Sequence, residues 1–454
     1  IGKTYKYGNL SINGLESNHY KNKRAVNAMQ FSSFSVAALK AAPSVQTLSY
    51  GQQSYKVEFQ AFSLPANRHK TPVVFLGGAF QSFTSFRSEV EQVLTTHPVI
   101  LADFPSQGSN DQLAPELTLQ DYAHLIARFC EARQLHKVTM LGISYGSAMA
   151  TLFAYAYPEK IERLLLSGIT CFRRESLITL LEDSLTLLAA GDMKAFATTA
   201  VCNLINHSRL NETDVSPTYR RLLYRQIARL NDNERQRYQQ NTRRLLDFSG
   251  FDGFPQCPTL IATGEYDNFT LPSENAAVAR QCHNATFAII SAADHLAQFE
   301  RKQAATALFH RFMCGDDVRA IPGTRVFDPE AFDYAEQRLQ SRQRPLAQPY
   351  TLVNKDSGQE HTVRINNINF AGCELTLAHM DLSLSESCDN LWLSLPETGC
   401  SYHLRILGRD KKRLRCLIIQ RDLKQADTLL RYLDGSLLLV NHDQQQQNPQ
   451  QRMA

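Results

Sequence analysis

The chain has 454 residues, more than one hydrophobic core usually organises, so at least two domains are expected. Hydrophobic residues make up 43% and charged residues 20%, and the net charge of +4 gives no basic excess for binding DNA or RNA. The ten cysteines are scattered with no C-x-x-C pair, which argues against zinc and disulfide frameworks and for reduced thiols. No apolar run approaches the ~18 residues of a membrane-spanning helix, so no transmembrane segment is expected, and the reduced thiols make a cytoplasmic protein the expectation.

In chain order, residues 1–45 are expected as an N-terminal extension, partly disordered, with a weak apolar run at 31–39 that lacks the basic flank of a signal peptide. Residues 50–61 predict an antiparallel lead-in strand. Apolar runs at 71–76, 98–102, 138–141 and 163–167 predict strands, with a helical pattern at 117–133 between the second and third. Strands alternating with helices imply a parallel sheet with crossover helices. Residues 170–255 carry no strand signal and read as helices, notably 177–190 and 218–246, forming a cap at about 172–255 over the sheet. Two later runs, 258–262 and 286–291, complete a first domain at 46–314.

Residues 315–337 are expected as a linker, because 316–329 carry two prolines and a glycine. Beyond them, short apolar runs spaced about ten residues apart predict a small antiparallel β-barrel within 338–440. The Gln-rich residues 441–454 are expected as a disordered tail. The fold class expected is therefore α/β with a helical cap, followed by a small barrel.

Gly142-Ile143-Ser144-Tyr145-Gly146 follows a predicted strand and opens a small-residue helical stretch, Ser147 to Phe153. A strand–turn–helix around G-x-S-x-G lifts the serine hydroxyl into the open as a nucleophile. A nucleophilic serine needs a base and an orienting carboxylate. Asp267 and His295 each lie just past the C-terminal end of a predicted strand, where ligand and catalytic groups gather in open α/β sheets. They are assigned as acid and base. His283 precedes its strand and lies at the wrong edge. The oxyanion donors are expected to be the backbone amides of Tyr145 and Ala79, the latter in the loop Gly77-Gly78-Ala79 after the first parallel strand. No metal is expected. The turn Asp103 to Ser109 is read as structural.

Together Gly77-Gly78, Asp103-x-Pro105-x-x-Gly108, Gly142-x-Ser144-x-Gly146, Gly264-x-x-Asp267 and Asp294-His295 resemble the α/β-hydrolase superfamily over residues 45–314. Gly77 stands where many members have His. Within that superfamily, the Gly78-Ala79 loop, Gly264-x-x-Asp267-x-Phe269-Thr270 and the cap are similar to the rhamnolipid-precursor synthases, although Tyr145 and Asp294 replace a usual Trp and Gly. That resemblance implies acyl transfer or hydrolysis through an acyl-serine on fatty-acyl esters or thioesters. Substrates would include 3-hydroxyacyl groups carried on acyl carrier protein or coenzyme A, with no cofactor required.

In the C-terminal part, Arg338-x-x-x-Arg342 precedes Asn367-Ile368-Asn369-Phe370-Ala371-Gly372. R-x-x-x-R followed by [DN]-x-S-x-x-G on a six-stranded barrel is similar to the PilZ domain. The resemblance implies cyclic di-GMP as a regulatory ligand held by Arg338, Arg342, Asn367, Asn369 and Gly372. Asn369 replaces the pattern's serine. The alternative function is a non-catalytic cyclic di-GMP effector or partner-binding protein on a hydrolase scaffold.

Overall fold

The computed structural model describes residues 28–171, 173–213, 215–332, 342–345, 348–380, 383–385 and 387–437. The expectations for residues 1–27, for Arg338 and for the Gln-rich tail lie outside them.

Residues 44–62 form a hairpin, β1 (Ser44–Tyr50) and β2 (Gln53–Phe62). The sequence suggested one strand at 50–61. In β1 only Leu48 is buried, so this edge strand carries no apolar run to betray it. Ahead of it, the short helix α1 (Val36–Leu39) buries Leu39, and Ser32 bridges to Phe62. Residues 28–45 thus pack on the sheet, which corrects the expectation of an extension for that part. The sheet continues through β3 (Val73–Leu76), β4 (Val99–Asp103), β5 (Val138–Ile143), β6 (Ile161–Ser167), β7 (Thr259–Gly264), β8 (Ala285–Ile290) and β9 (Thr324–Phe327). Its order is β1-β2-β4-β3-β5-β6-β7-β8-β9, parallel from β4 to β8.

Successive side chains of a strand point to opposite faces. Val74 and Leu76 join one apolar cluster, and Val73 and Phe75 join the other. Helices α3 (Asp121–Ala132), α4 (Tyr145–Ala156) and α9 (Pro272–Gln281) cover the first face. The second is covered by α2 (Arg87–Val93), α10 (Ala297–Glu300) and α11 (Lys302–Cys314). The segment expected as a linker supplies β9. Val318 and Ile321 are buried, and Phe327 packs on Phe287 with ring centroids 6.2 Å apart. These contacts hold the strand antiparallel on β8, so the correction follows from apolar side chains spaced too widely to form a run.

Between β6 and β7, the described residues leave the sheet as four α-helices, α5 (Glu175–Ala189), α6 (Met193–Leu204), α7 (Pro217–Ala228) and α8 (Asp232–Asp247). The stretch 218–246 is two helices. Asn231 interrupts it by accepting the Glu234 amide (2.9 Å), while Glu234 accepts the Asn231 amide (2.8 Å), a reciprocal capping pair that starts a new helix.

The C-terminal unit is a closed antiparallel barrel, β10 (Tyr350–Asn354), β11 (Gln359–Ile368), β12 (Gly372–Leu377), β13 (Leu391–Leu395), β14 (Cys400–Asp410) and β15 (Arg413–Ile419). Helix α12 (Leu423–Leu433) packs on the barrel's apolar core through Ala426 and Leu429, both fully buried. The barrel rests on the cap. Cys202 of α6 belongs to the barrel's apolar cluster, and Leu180 of α5 packs with Leu417 and Ile419. Arg421 donates twice to the buried Asp183 carboxylate (2.5 and 2.6 Å), the Thr199 hydroxyl donates to the Gln420 carbonyl (2.8 Å), and Arg220 pairs with Asp427.

Among the described residues, the Arg421–Asp183 pair is the most buried ion pair across this interface. Removing one partner strands the other charge away from water, at about 3–5 kcal/mol. Arg421→Ala is therefore expected to lower stability by about that amount, read as a drop in the denaturant midpoint of the full chain, with Asp183→Ala producing a comparable loss.

Candidate active site

The parallel register brings the C-terminal ends of β3, β5, β7 and β8 to one edge of the sheet, with Leu76 beside Gly142 and Gly264 beside Ile290. The loops leaving those ends carry the residues singled out in the sequence. Ser144 is the turn between β5 and α4 and holds φ 52°, ψ −115°. For a residue with a Cβ this is strained backbone. It persists because neighbours overdetermine it. The Ser144 amide donates to the Ser167 carbonyl (2.7 Å), and the Ser147 hydroxyl donates to Gly142 and Ser167 carbonyls (2.8 and 3.0 Å). Helix α4 can start this close to β3 only with glycine at 146, where a Cβ would stand 2.3 Å from the Leu76 carbonyl oxygen.

Asp267 lies past β7 and His295 past β8, and both are buried. His295 Nδ1 lies 2.9 Å from Asp267 Oδ2, and His295 Nε2 lies 3.2 Å from Ser144 Oγ. Asp267 also accepts from the Phe269 and Thr270 amides (3.0 and 2.8 Å) and from the hydroxyls of Thr270 and Thr263 (2.7 and 3.1 Å). With the carboxylate so placed, Nδ1 is the protonated nitrogen and Nε2 is left to accept the serine proton. Burial alone would lower the basicity of His295. The charge of Asp267, its hydrogen bond and the charge of Asp294 outweigh burial and hold the imidazole above its ordinary range. The loops of β7 and β8 meet closely: a Cβ at Gly264 would stand 2.1 Å from the Asp294 carbonyl oxygen.

Gly78 and Ala79 lie beside Ser144. The Gly78 amide is taken by the Gln81 side chain (2.6 Å), and a Cβ on Gly78 would stand 3.2 Å from Ser144 Cβ. Among the described residues, neither the Ala79 nor the Tyr145 amide donates to another backbone carbonyl outside a helix or strand. Ala79, Ser144, Tyr145 and His295 line one cavity of about 230 Å3, whose walls are largely apolar and come from the cap: Leu181 of α5, Leu204 of α6, Tyr219 and Leu223 of α7, and Tyr238 and Leu245 of α8. Phe80 stacks on Tyr238, with ring centroids 5.2 Å apart and planes at 14°. The volume falls just below the roughly 300–1,000 Å3 of pockets for drug-sized ligands.

Asp103 accepts the Ser109 amide (2.7 Å) and ties its own turn. His283 is exposed at the opposite edge, its amide bonded to Pro255. Sequence reasoning missed Thr263 as an orienter of Asp267, and all of the cap residues that line the cavity. Thr270, three residues after Asp267, was the one legible local signal, since an Asp side chain readily binds amides two and three residues on. Among the described residues no group of three or more His, Cys, Asp or Glu could hold a metal, and no helix is long and apolar enough to cross a membrane.

In the barrel, Arg342 hydrogen-bonds Asn367. Asn369 Oδ1 accepts the Ala371 and Gly372 amides (3.1 and 2.9 Å), and Gly372 lies against the Cys416 carbonyl, 2.6 Å from where a Cβ would be. Asn369 also lines a second cavity of about 450 Å3 between barrel and cap, with Gln343, Phe370 and His207.

The His295–Asp267 pair predicts a titration. The His295 imidazole is expected to deprotonate above the ~6.5 of an unperturbed histidine. Asp267→Asn is expected to move that transition to lower pH, because burial then acts on the imidazolium with much less opposing charge. Following the His295 ring signals by NMR across pH checks both; an unchanged midpoint in the variant would contradict this electrostatic account.

A family model for the alpha/beta hydrolase fold matches residues 71–302. An ethanol acetyltransferase of Cyberlindnera jadinii is 25% identical over 128 residues, 28% of this chain and 38% of the relative. A poly(3-hydroxyalkanoate) depolymerase of Ectopseudomonas oleovorans is 27% identical over 104 residues, 23% of this chain and 37% of the relative. The chain thus spans well under half the length of these curated relatives. Among solved structures, an alpha/beta hydrolase enzyme from a Medee basin deep-sea metagenome library superposes with a TM-score of 0.52 at 18% identity, over 60% of this chain and 98% of that one. A thermophilic esterase from Thermogutta terrifontis superposes with a TM-score of 0.50 at 19% identity, over 61% and 99%. These likenesses carry the fold. With more than half of its length matched by the family model, the chain belongs to the alpha/beta hydrolase fold family.

Proposed function

We propose that this protein is a serine-dependent acyl-transfer enzyme acting on fatty-acyl esters or thioesters, 3-hydroxyacyl groups included. The observation that carries the reading is the contact chain Ser144–His295–Asp267 at the floor of an apolar cavity. Ser144 Oγ attacks the acyl carbonyl carbon as its proton passes to His295 Nε2. The resulting oxyanion is met by the Tyr145 and Ala79 amides. As the carbonyl re-forms, the bond to the alcohol or thiol breaks, and that leaving group takes the proton from His295. An acceptor hydroxyl, from water or from a second hydroxyacyl chain, then gives its proton to His295 and attacks the acyl-serine carbonyl; the acyl–Oγ bond breaks as Ser144 Oγ takes that proton back from His295, and the acylated acceptor leaves. The apolar wall from the cap suits an acyl chain of short to medium length. Relatives named for acetyl transfer and for poly(3-hydroxyalkanoate) depolymerisation support ester chemistry on acyl groups.

A fluorophosphonate is expected to label Ser144, and Ser144→Ala is expected to lose labelling and at least about 1000-fold of ester turnover. A folded wild-type chain that resists labelling and turns over no 4-nitrophenyl ester would instead support a binding protein on a hydrolase scaffold. Incubation with 3-hydroxyacyl thioesters separates the acceptors: a dimeric acyl product marks the synthase, and free acid alone marks a thioesterase.

We propose further that cyclic di-GMP regulates the enzyme from the barrel. The Arg342–Asn367 pair and the position of Asn369 at the barrel–cap cavity support this reading, since an arginine fork suits phosphate oxygens and guanine edges. Calorimetric titration of the full chain is expected to give micromolar or tighter binding that Arg342→Ala abolishes; no heat with the wild type would defeat it.

A further inference from the structure

Asp294 adjoins the base in sequence, is fully buried, and takes no part in the acyl-transfer steps above. A carboxylate is expensive to bury unless its oxygens are engaged, and these are. Oδ1 accepts the Leu296 amide (3.0 Å), and Oδ2 accepts the Asn206 amide (3.0 Å). On its other side stands Glu300 of α10, whose Oε2 accepts the Asp294 amide (2.8 Å). Burial, reinforced by the hydrogen bond and the negative charge of Asp294, pushes Glu300 up to about 10. Burial raises Asp294 as well, so these two neighbouring carboxyls favour sharing a proton over carrying two charges.

Asn206 is the key partner because of where it sits. It lies two residues beyond the end of α6, the cap helix whose Cys202 enters the barrel core. Its own side chain donates to the Tyr266 carbonyl (2.9 Å), in the loop that carries Asp267. The next residue, His207, lies parallel to Phe370 of the barrel, with ring planes at 3° and centroids 5.6 Å apart. One short segment thus touches the barrel on one side and the loops of both Asp267 and His295 on the other.

We infer that Asp294 is a positioning residue, fastening the cap end at Asn206, and through His207 the barrel at Phe370, to the loop that aims His295 at Ser144. This rests on the acyl-transfer reading. With Asp294 in place, seating of the barrel on the cap sets the reach of the imidazole. Without it, the His295 loop and the cap end move independently.

The test is turnover of 4-nitrophenyl hexanoate by the full chain in Asp294→Ala, Asp294→Asn, Phe370→Ala and the Asp294→Ala/Phe370→Ala double variant, beside Ser144→Ala. Misplacing a catalytic group by about 1 Å loses roughly 100-fold in rate. Asp294→Ala is expected to lower kcat by a factor of that order with KM little changed, and Asp294→Asn, which keeps one acceptor oxygen, to recover part of it. Phe370→Ala is expected to lower kcat less, and the double variant to be no worse than Asp294→Ala alone, since residues acting through one link are non-additive. A folded Asp294→Ala with wild-type kcat, or losses that simply multiply in the double variant, overturns the inference. If Ser144→Ala is inactive in the same experiment, only the positioning role falls; if it retains turnover, the acyl-transfer reading falls too. Should Asp294→Ala not fold, Asp294→Asn and Phe370→Ala with their double variant make the same comparison.

Discussion

The contact between His295 and the buried carboxylate of Asp267 constrains the structure around it. Neither group is close to the other in sequence, and each sits on a loop that would otherwise be free to wander. They meet because β7 and β8 are parallel neighbours whose C-terminal ends coincide, and because the loops can touch where Gly264 has no side chain. Asp267 then accepts two amides and two hydroxyls besides the imidazole, so its carboxylate is held in one orientation. That fixed carboxylate orients the ring and keeps Nε2 available to Ser144. The strained turn at Ser144 serves the same meeting from the other side, and the hydrogen bonds to Ser167 hold it there.

The cap completes what the sheet edge begins. A serine and histidine on an open edge would face water, which competes both for the hydrogen bonds and for an acyl intermediate. Helices α5 to α8 place Leu181, Leu204, Tyr219, Leu223, Tyr238 and Leu245 over the site and make a cavity of about 230 Å3. The barrel in turn holds the cap, through the buried Arg421–Asp183 pair and the apolar contacts of Cys202 and Leu180. The C-terminal unit therefore bears on the cap, the part of the first domain that shapes the acyl site. A ligand that altered the seating of the barrel would act on the shape of that cavity before anything else.

Asp294 places these layers in one network. It is the point at which the sheet-edge loop, the end of α6 and helix α10 share hydrogen bonds. A glycine there could not accept the Asn206 amide, and the cap end would lose its attachment to the loop of His295.

The site residues were legible in the sequence where their signals are local. G-x-S-x-G between a strand and a helix, and an Asp and a His each just past a strand, are patterns of adjacent residues. Parallel strands necessarily deliver such residues to one edge. The doubly covered sheet and the barrel were legible for a similar reason, because apolar periodicity records which face of each element is buried. The hairpin partner β1 and the edge strand β9 were not, since each has one weakly buried face and no apolar run. The break at Asn231 is a capping signal hidden inside a helical composition. The tertiary structure alone decided that Arg421 meets Asp183, that His207 meets Phe370 and that Asp294 meets Asn206. These partners lie between 88 and 238 residues apart, and contacts at that separation leave no periodicity or spacing in the chain. They exist only once the sheet, cap and barrel have packed, because burial is what makes those hydrogen bonds and ring contacts worth forming.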